Sequence, residues 1–98
     1  MFVHAVYFWL KPELTPAQVR QYEELAGAMS AIPGVKHLWL GKPAATNRSV
    51  IERSYSYALT VVFADPAAEE VYQQHPIHDT FREKCGTFWN KVVIYDSI

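Results

Sequence analysis

Residues Phe2 to Leu10, FVHAVYFWL, read as a β-strand from their aromatic and β-branched content, and the strand has no polar side. One alternating set is Phe2, His4, Val6, Phe8 and Leu10; the other is Val3, Ala5, Tyr7 and Trp9. A strand that is apolar on both faces has to be covered on both. A chain of 98 residues withdraws only about 65% of its unfolded surface from water, so a second cover is hard to supply from within.

The rest of the chain supplies one cover. Thr15-Pro16-Ala17-Gln18 predicts a helix start, with Thr as N-cap, Pro at the first helical position and Gln at the capping-box position. Tyr22, Leu25, Ala26, Met29 and Ile32 form its inward stripe, Arg20, Gln21, Glu23 and Glu24 its solvent side, and Pro33-Gly34 its end. Val35 to Lys42 is a second strand, with Val35, His37 and Trp39 on one side and Lys36, Leu38 and Leu40 on the other. Pro43 to Ser54 has no period and reads as a long hairpin connection, and Tyr55 to Phe63 is a third strand.

Asp65-Pro66 opens a second helix with Ala68, Val71, Tyr72 and His75 inward. Pro76 ends it and begins a further helical segment, on which His78, Phe81 and Cys85 share a face. Gly86 stops that segment, and Thr87 to Tyr95 is the last strand, with Val92 and Ile94 on one face and Val93 and Tyr95 on the other. The order β-α-β-β-α-β predicts one α+β domain, a ferredoxin-like sandwich with a four-stranded, mostly antiparallel sheet and helices on one side. The other side of the sheet then calls for a second copy of itself, and the expected partner is an isologous homodimer through the sheet faces.

Composition narrows the function classes. Half the residues are hydrophobic, and nine basic and ten acidic side chains leave a formal charge of -1 with no basic cluster, which excludes a nucleic-acid partner. The apolar start carries no positive n-region and no small-residue cleavage site, and it is shorter than the ~20 residues of a membrane helix, so the expectation is a cytoplasmic protein with no membrane contact. Cys85 is the single cysteine and is expected to serve as a small buried hydrophobe.

Tyr72, His75 and His78 concentrate the chemistry. An imidazole with an unperturbed pKa of ~6.5 is largely neutral at pH 7 and can take a proton, so His78 is the candidate base; Tyr72 can donate to a developing oxyanion. The plainer alternative has Tyr72 packed in the core and His78 capping the segment after Pro76. His75-x-x-His78 has a metal-like spacing, but Pro76 interrupts it and no third ligand stands nearby, so no metal is expected. No phosphate loop, dinucleotide fingerprint or haem motif is present, and no organic cofactor is expected. His4 shares its strand face with Val6 and Phe8. With Tyr57, Leu59, Val61, Phe81, Trp89, Val92 and Ile94 it would line one cavity between sheet and helices, suited to a small apolar or aromatic ligand.

The run from Tyr72 through His75-Pro76-Ile77-His78 to Phe81, followed by FWNKVVIYD, resembles the Dabb family of stress-responsive dimeric α/β barrel domains. The strand carrying His4 and the length of the chain strengthen the match, and from Tyr55 to Asp96 it looks most like a plant polyketide cyclase of that family. The resemblance implies a barrel made from two sheets. It also implies that Tyr72 and His78 act as a catalytic pair and that His4 lines the pocket. Ala26 stands where that cyclase has an aromatic, so the pocket floor should differ and the polyketide substrate is not carried over. Two functions of different class follow: a cofactor-independent lyase or cyclase acting on a carbonyl-bearing small molecule, or a non-catalytic stress-associated dimer that binds a small ligand. Related dimeric barrels add cofactor-free monooxygenases as a third.

Overall fold

The computed structural model describes residues 1–98. Its elements are β1 (Phe2–Leu10), α1 (Pro16–Ala28), β2 (Val35–Gly41), β3 (Tyr57–Phe63), α2 (Pro66–Gln74), α3 (Pro76–Cys85) and β4 (Trp89–Ser97), with one 3-10 turn at Met29–Ala31. The strands form one sheet in the order β2-β3-β1-β4, every neighbouring pair antiparallel. This is the ferredoxin-like α+β fold expected from the order of elements.

Each helix starts where its cap is written. Thr15 accepts from the Gln18 backbone N–H at 3.2 Å while the Gln18 side chain accepts from the Thr15 N–H at 2.8 Å, and Pro16 takes the first helical position. Asp65 accepts from the Ala68 N–H at 2.9 Å at the head of α2. At the head of α3 the cap is His75, whose Nδ1 accepts from the Ile77 N–H at 3.1 Å. The capping role that the plainer reading gave to His78 therefore belongs to His75, and His78 is free to turn inward. Gly34, the only residue with positive φ (93°), makes the turn into β2.

The helices cover one face of the sheet, and their main contacts are with β2, β3 and one another. Tyr22, Ala26, Met29 and Ile32 are buried against Phe8, Tyr57, Leu59, Val61 and Phe63. Helix cover thins out toward β4, where Val92 and Ile94 lie on the helical side yet remain 41% and 51% exposed. The cavity described below opens along that edge.

Four sequence expectations are corrected. A β-bulge between Val35 and His37 sets three residues of β2, Val35, Lys36 and His37, against Phe63 and Val62, which moves Val35 to the core side with Leu38 and Leu40. Val71 is exposed on the outside of α2. Glu23 is only half-exposed, because its carboxylate accepts from the Tyr57 hydroxyl at 2.5 Å. The third and last strands are Tyr57–Phe63 and Trp89–Ser97, each beginning two residues later than expected. Ser56 instead pins the end of the long connection to β1, donating its N–H to Phe8 O at 2.7 Å and accepting at its hydroxyl from the Leu10 N–H at 2.8 Å.

On the open face Tyr7, Tyr55 and Tyr95 pack edge to face, Trp39 is 63% exposed, and the outer side of β1 is only half-buried by its own chain. No helix is long and apolar enough to cross a membrane.

Candidate functional site

A cavity of about 210 Å³ lies between β1, β4 and the α2–α3 corner, lined by His4, Val6, Phe8, Met29, Leu59, Tyr72, Gln73, His78, Phe81, Arg82, Trp89, Val92 and Ile94. Three elements deliver its polar groups. His4 faces it because β1 alternates; Tyr72 is the one buried residue of α2; His78 sits in the first turn of α3, just past the Pro76 break. The Tyr72 ring stands between the two imidazoles, its centroid 4.9 Å from that of His78 and 6.1 Å from that of His4, both edge to face.

Two expected wall residues are elsewhere. Val61 is fully buried beneath the helices on β3, and Tyr57 is drawn toward α1 by its bond to Glu23, so neither lines the cavity. The cavity opens over β1 and β4 and reaches β3 only at Leu59, opposite Val6. The other expected wall residues all line it. Sequence reasoning missed Asp96, Arg82, Gln73 and Met29. Arg82 had a readable signal in its position one helical turn after His78.

Each polar group has a defined partner. His4 Nδ1 lies 2.6 Å from Asp96 Oδ1, its directly opposite neighbour in the β1–β4 register. Arg82 Nε donates to His78 Nδ1 at 3.0 Å, and its Nη2 donates to the Gln73 carbonyl at 2.7 Å. The Tyr72 hydroxyl donates only to the Met29 thioether, at 3.5 Å, a weak acceptor that a ligand oxygen would outcompete. Burial holds this hydroxyl well above the ordinary phenol range, with Glu69 adding to the effect, so it stays a donor. His75 and His78 each already use Nδ1 as an acceptor within the chain, and nowhere do three His, Cys, Asp or Glu side chains gather so that they could hold a metal ion.

Burial, then the Arg82 guanidinium and then His4 lower the His78 pKa to about 4, with Asp79 opposing them. An unfolded imidazole titrates near ~6.5, so between pH 6.5 and 4 the unfolded chain binds more protons than the folded one. His78 thus contributes stability that is present above about pH 6.5 and lost as the pH falls toward 4, on the order of 3 kcal/mol in all. Urea unfolding at pH 7.5 and pH 4 should show a larger loss for the wild type than for His78→Gln. Equal losses in the two proteins would place His78 in contact with bulk water.

A larger hollow of about 430 Å³ lies on the open face of the sheet, among Tyr7, Trp9, Glu52, Ser54, Tyr55, Lys91, Val93 and Tyr95. It holds no imidazole and belongs to the uncovered surface, with Lys91 stacked 4.4 Å over the Trp9 ring. Both buried imidazoles, His4 and His78, line the smaller cavity.

The profile of the family described as Stress responsive A/B Barrel Domain matches residues 2–98. The chain is similar to olivetolic acid cyclase of Cannabis sativa, 27% identical over 94 residues that span 95% of this chain and 91% of the cyclase. Among solved structures it superposes on a hydroxynitrile lyase from Passiflora edulis with a TM-score of 0.81 at 21% identity, covering 99% of this chain and 91% of that one. It also superposes on a dimeric ferredoxin-like protein from Thermobifida fusca with a TM-score of 0.79 at 21% identity, covering 98% and 88%.

Proposed function

The chain belongs to the stress responsive A/B barrel domain (Dabb) family, and from the cavity we propose a homodimeric, cofactor-independent enzyme of lyase or cyclase type that moves a proton on a small carbonyl compound. The observation that carries this reading is the convergence of His4, Tyr72 and His78 on one small, otherwise apolar space. Apolar walls from Val6, Phe8, Leu59, Phe81 and Trp89 would hold a hydrocarbon or aromatic body, and the three polar groups would meet its carbonyl end. The volume is below the roughly 300–1,000 Å³ of pockets for drug-sized ligands, which favours a small substrate and leaves no room for a dinucleotide.

Tyr72 is assigned as the donor to the developing oxyanion, and His78 as the imidazole that meets the same carbonyl. The names of two relatives, a cyclase and a lyase, support a reaction class in which a carbanion or enolate forms beside a carbonyl. The homodimer is supported by the apolar open face and by solved relatives described as dimeric.

The test needs no prior substrate. Incubating the protein in D₂O with a panel of methyl ketones, β-diketones, β-keto esters and aryl aldehyde cyanohydrins should reveal, by proton NMR, exchange at carbon or C–C cleavage faster than in buffer for at least one class. Saturable binding across the panel with no exchange or cleavage would instead establish the non-catalytic ligand-binding dimer.

A further inference from the structure

We propose that the two imidazoles of the cavity are fixed in opposite tautomers, Arg82 making His78 a hydrogen-bond donor and Asp96 making His4 the proton acceptor. This rests on the carbonyl chemistry proposed above and assigns its roles. A guanidinium has five donors and no acceptor. With Arg82 Nε 3.0 Å from His78 Nδ1, that ring nitrogen must supply the lone pair, and the hydrogen of the neutral ring sits on Nε2. The fork is itself held, because Nη2 donates to the Gln73 carbonyl in the last turn of α2.

At His4 the wiring is reversed. A carboxylate can only accept, so Asp96 Oδ1 at 2.6 Å draws the hydrogen to His4 Nδ1 and leaves the lone pair on Nε2. Neither Nε2 has a partner within the protein, and neither is sealed off: the one buried side-chain polar atom without a partner is the Tyr22 hydroxyl. Both Nε2 atoms are thus left for a ligand.

The assignment reverses the expectation from sequence that His78 is the base. His4 Nε2 takes the proton from the carbon next to the carbonyl, and the C–H electron pair moves into the carbonyl to give an enolate. The enolate oxygen accepts from His78 Nε2–H and Tyr72 O–H. The His4 imidazolium is balanced by Asp96 and, after exchanging its proton with solvent, gives a proton back to the product. A neutral imidazole that donates to a developing oxyanion, with its pKa lowered by its surroundings, suits that second role, and burial beside Arg82 keeps His78 neutral at pH 7. Arg82 and Asp96 act through the two rings and are positioning residues.

Long-range proton–nitrogen NMR on the full chain labelled with ¹⁵N-histidine reads each tautomer without any substrate. Among the four histidines, His4 and His78 are assigned by the signals lost in His4→Gln and His78→Gln. At pH 7.5 His78 should carry its hydrogen on Nε2 and His4 on Nδ1. In Arg82→Met, which keeps an unbranched apolar stem, the His78 signals should shift toward a mixture of tautomers while His4 is unchanged. A hydrogen on His78 Nδ1 in the wild type, or the same tautomer at both rings, overturns the proposal, and the wild-type spectrum decides it even if Arg82→Met does not fold. Opposite tautomers in a protein that neither exchanges nor cleaves any carbonyl compound would overturn the proposed function and leave the wiring standing.

Discussion

Val93→Glu should convert the protein from a dimer to a monomer. Val93 lies directly opposite Tyr7 in the β1–β4 register, on the open face, where it is half-buried within its own chain and would be fully buried against a second sheet. In an isologous contact a single substitution enters twice. Removing a carboxylate from water costs several kcal/mol even after relaxation, so about 3 kcal/mol per copy gives about 6 kcal/mol for the pair. That corresponds to a dissociation constant roughly 10⁴-fold weaker. Sedimentation at micromolar concentration should show a dimer for the wild type and for the control Val71→Glu on the outer side of α2, and a monomer for Val93→Glu. A wild type sedimenting at the mass of one chain would remove the barrel, and so would a Val93→Glu protein that still dimerises.

The signal behind that prediction is visible in the first ten residues. Two alternating sets that are apolar but for His4 require two covers, and the structure supplies helices for one set and only a few side chains, such as Tyr55 and Ser54 beside Tyr7 and Trp9, for the other. The first two helix starts were equally legible, because a Thr or Asp followed by Pro states its cap in adjacent residues; Pro76 marked the third start, but its cap, His75, was not read. What escaped was information carried by pairing between distant segments. Asp96 becomes a partner of His4 only through the β1–β4 register, and that register shifts at Trp9–Leu10. The bulge at Val35–His37 reversed one end of β2 without any glycine to announce it. Tyr57 and Val61 show the limit of alternation: it places a residue on a face correctly, but position along and across the sheet decides whether that part of the face meets a cavity or a helix.

Substitutions at the three polar groups should separate the two possible uses of His78. His78→Ala should lower kcat by about 10²–10³, the usual cost of losing one donor to an oxyanion. Tyr72→Phe should fall in the same range or somewhat below it, since it removes one hydroxyl whose only partner is the Met29 thioether and leaves the ring packing in place. His4→Ala should cost about 10²–10⁴, the range for removing a general base. The diagnostic pair is His78→Gln and His4→Gln. An amide can donate but cannot take a proton at neutral pH, so His78→Gln should recover at least about tenfold of the activity that His78→Ala loses, whereas His4→Gln should recover none of its own. All variants should sediment and melt as folded dimers, because Arg82 and Asp96 are exposed enough for water to replace the ring each one loses. If His78→Gln were as inactive as His78→Ala while His4→Gln kept substantial turnover, the proton would be leaving through His78, and Arg82 would have to release that ring before each turnover.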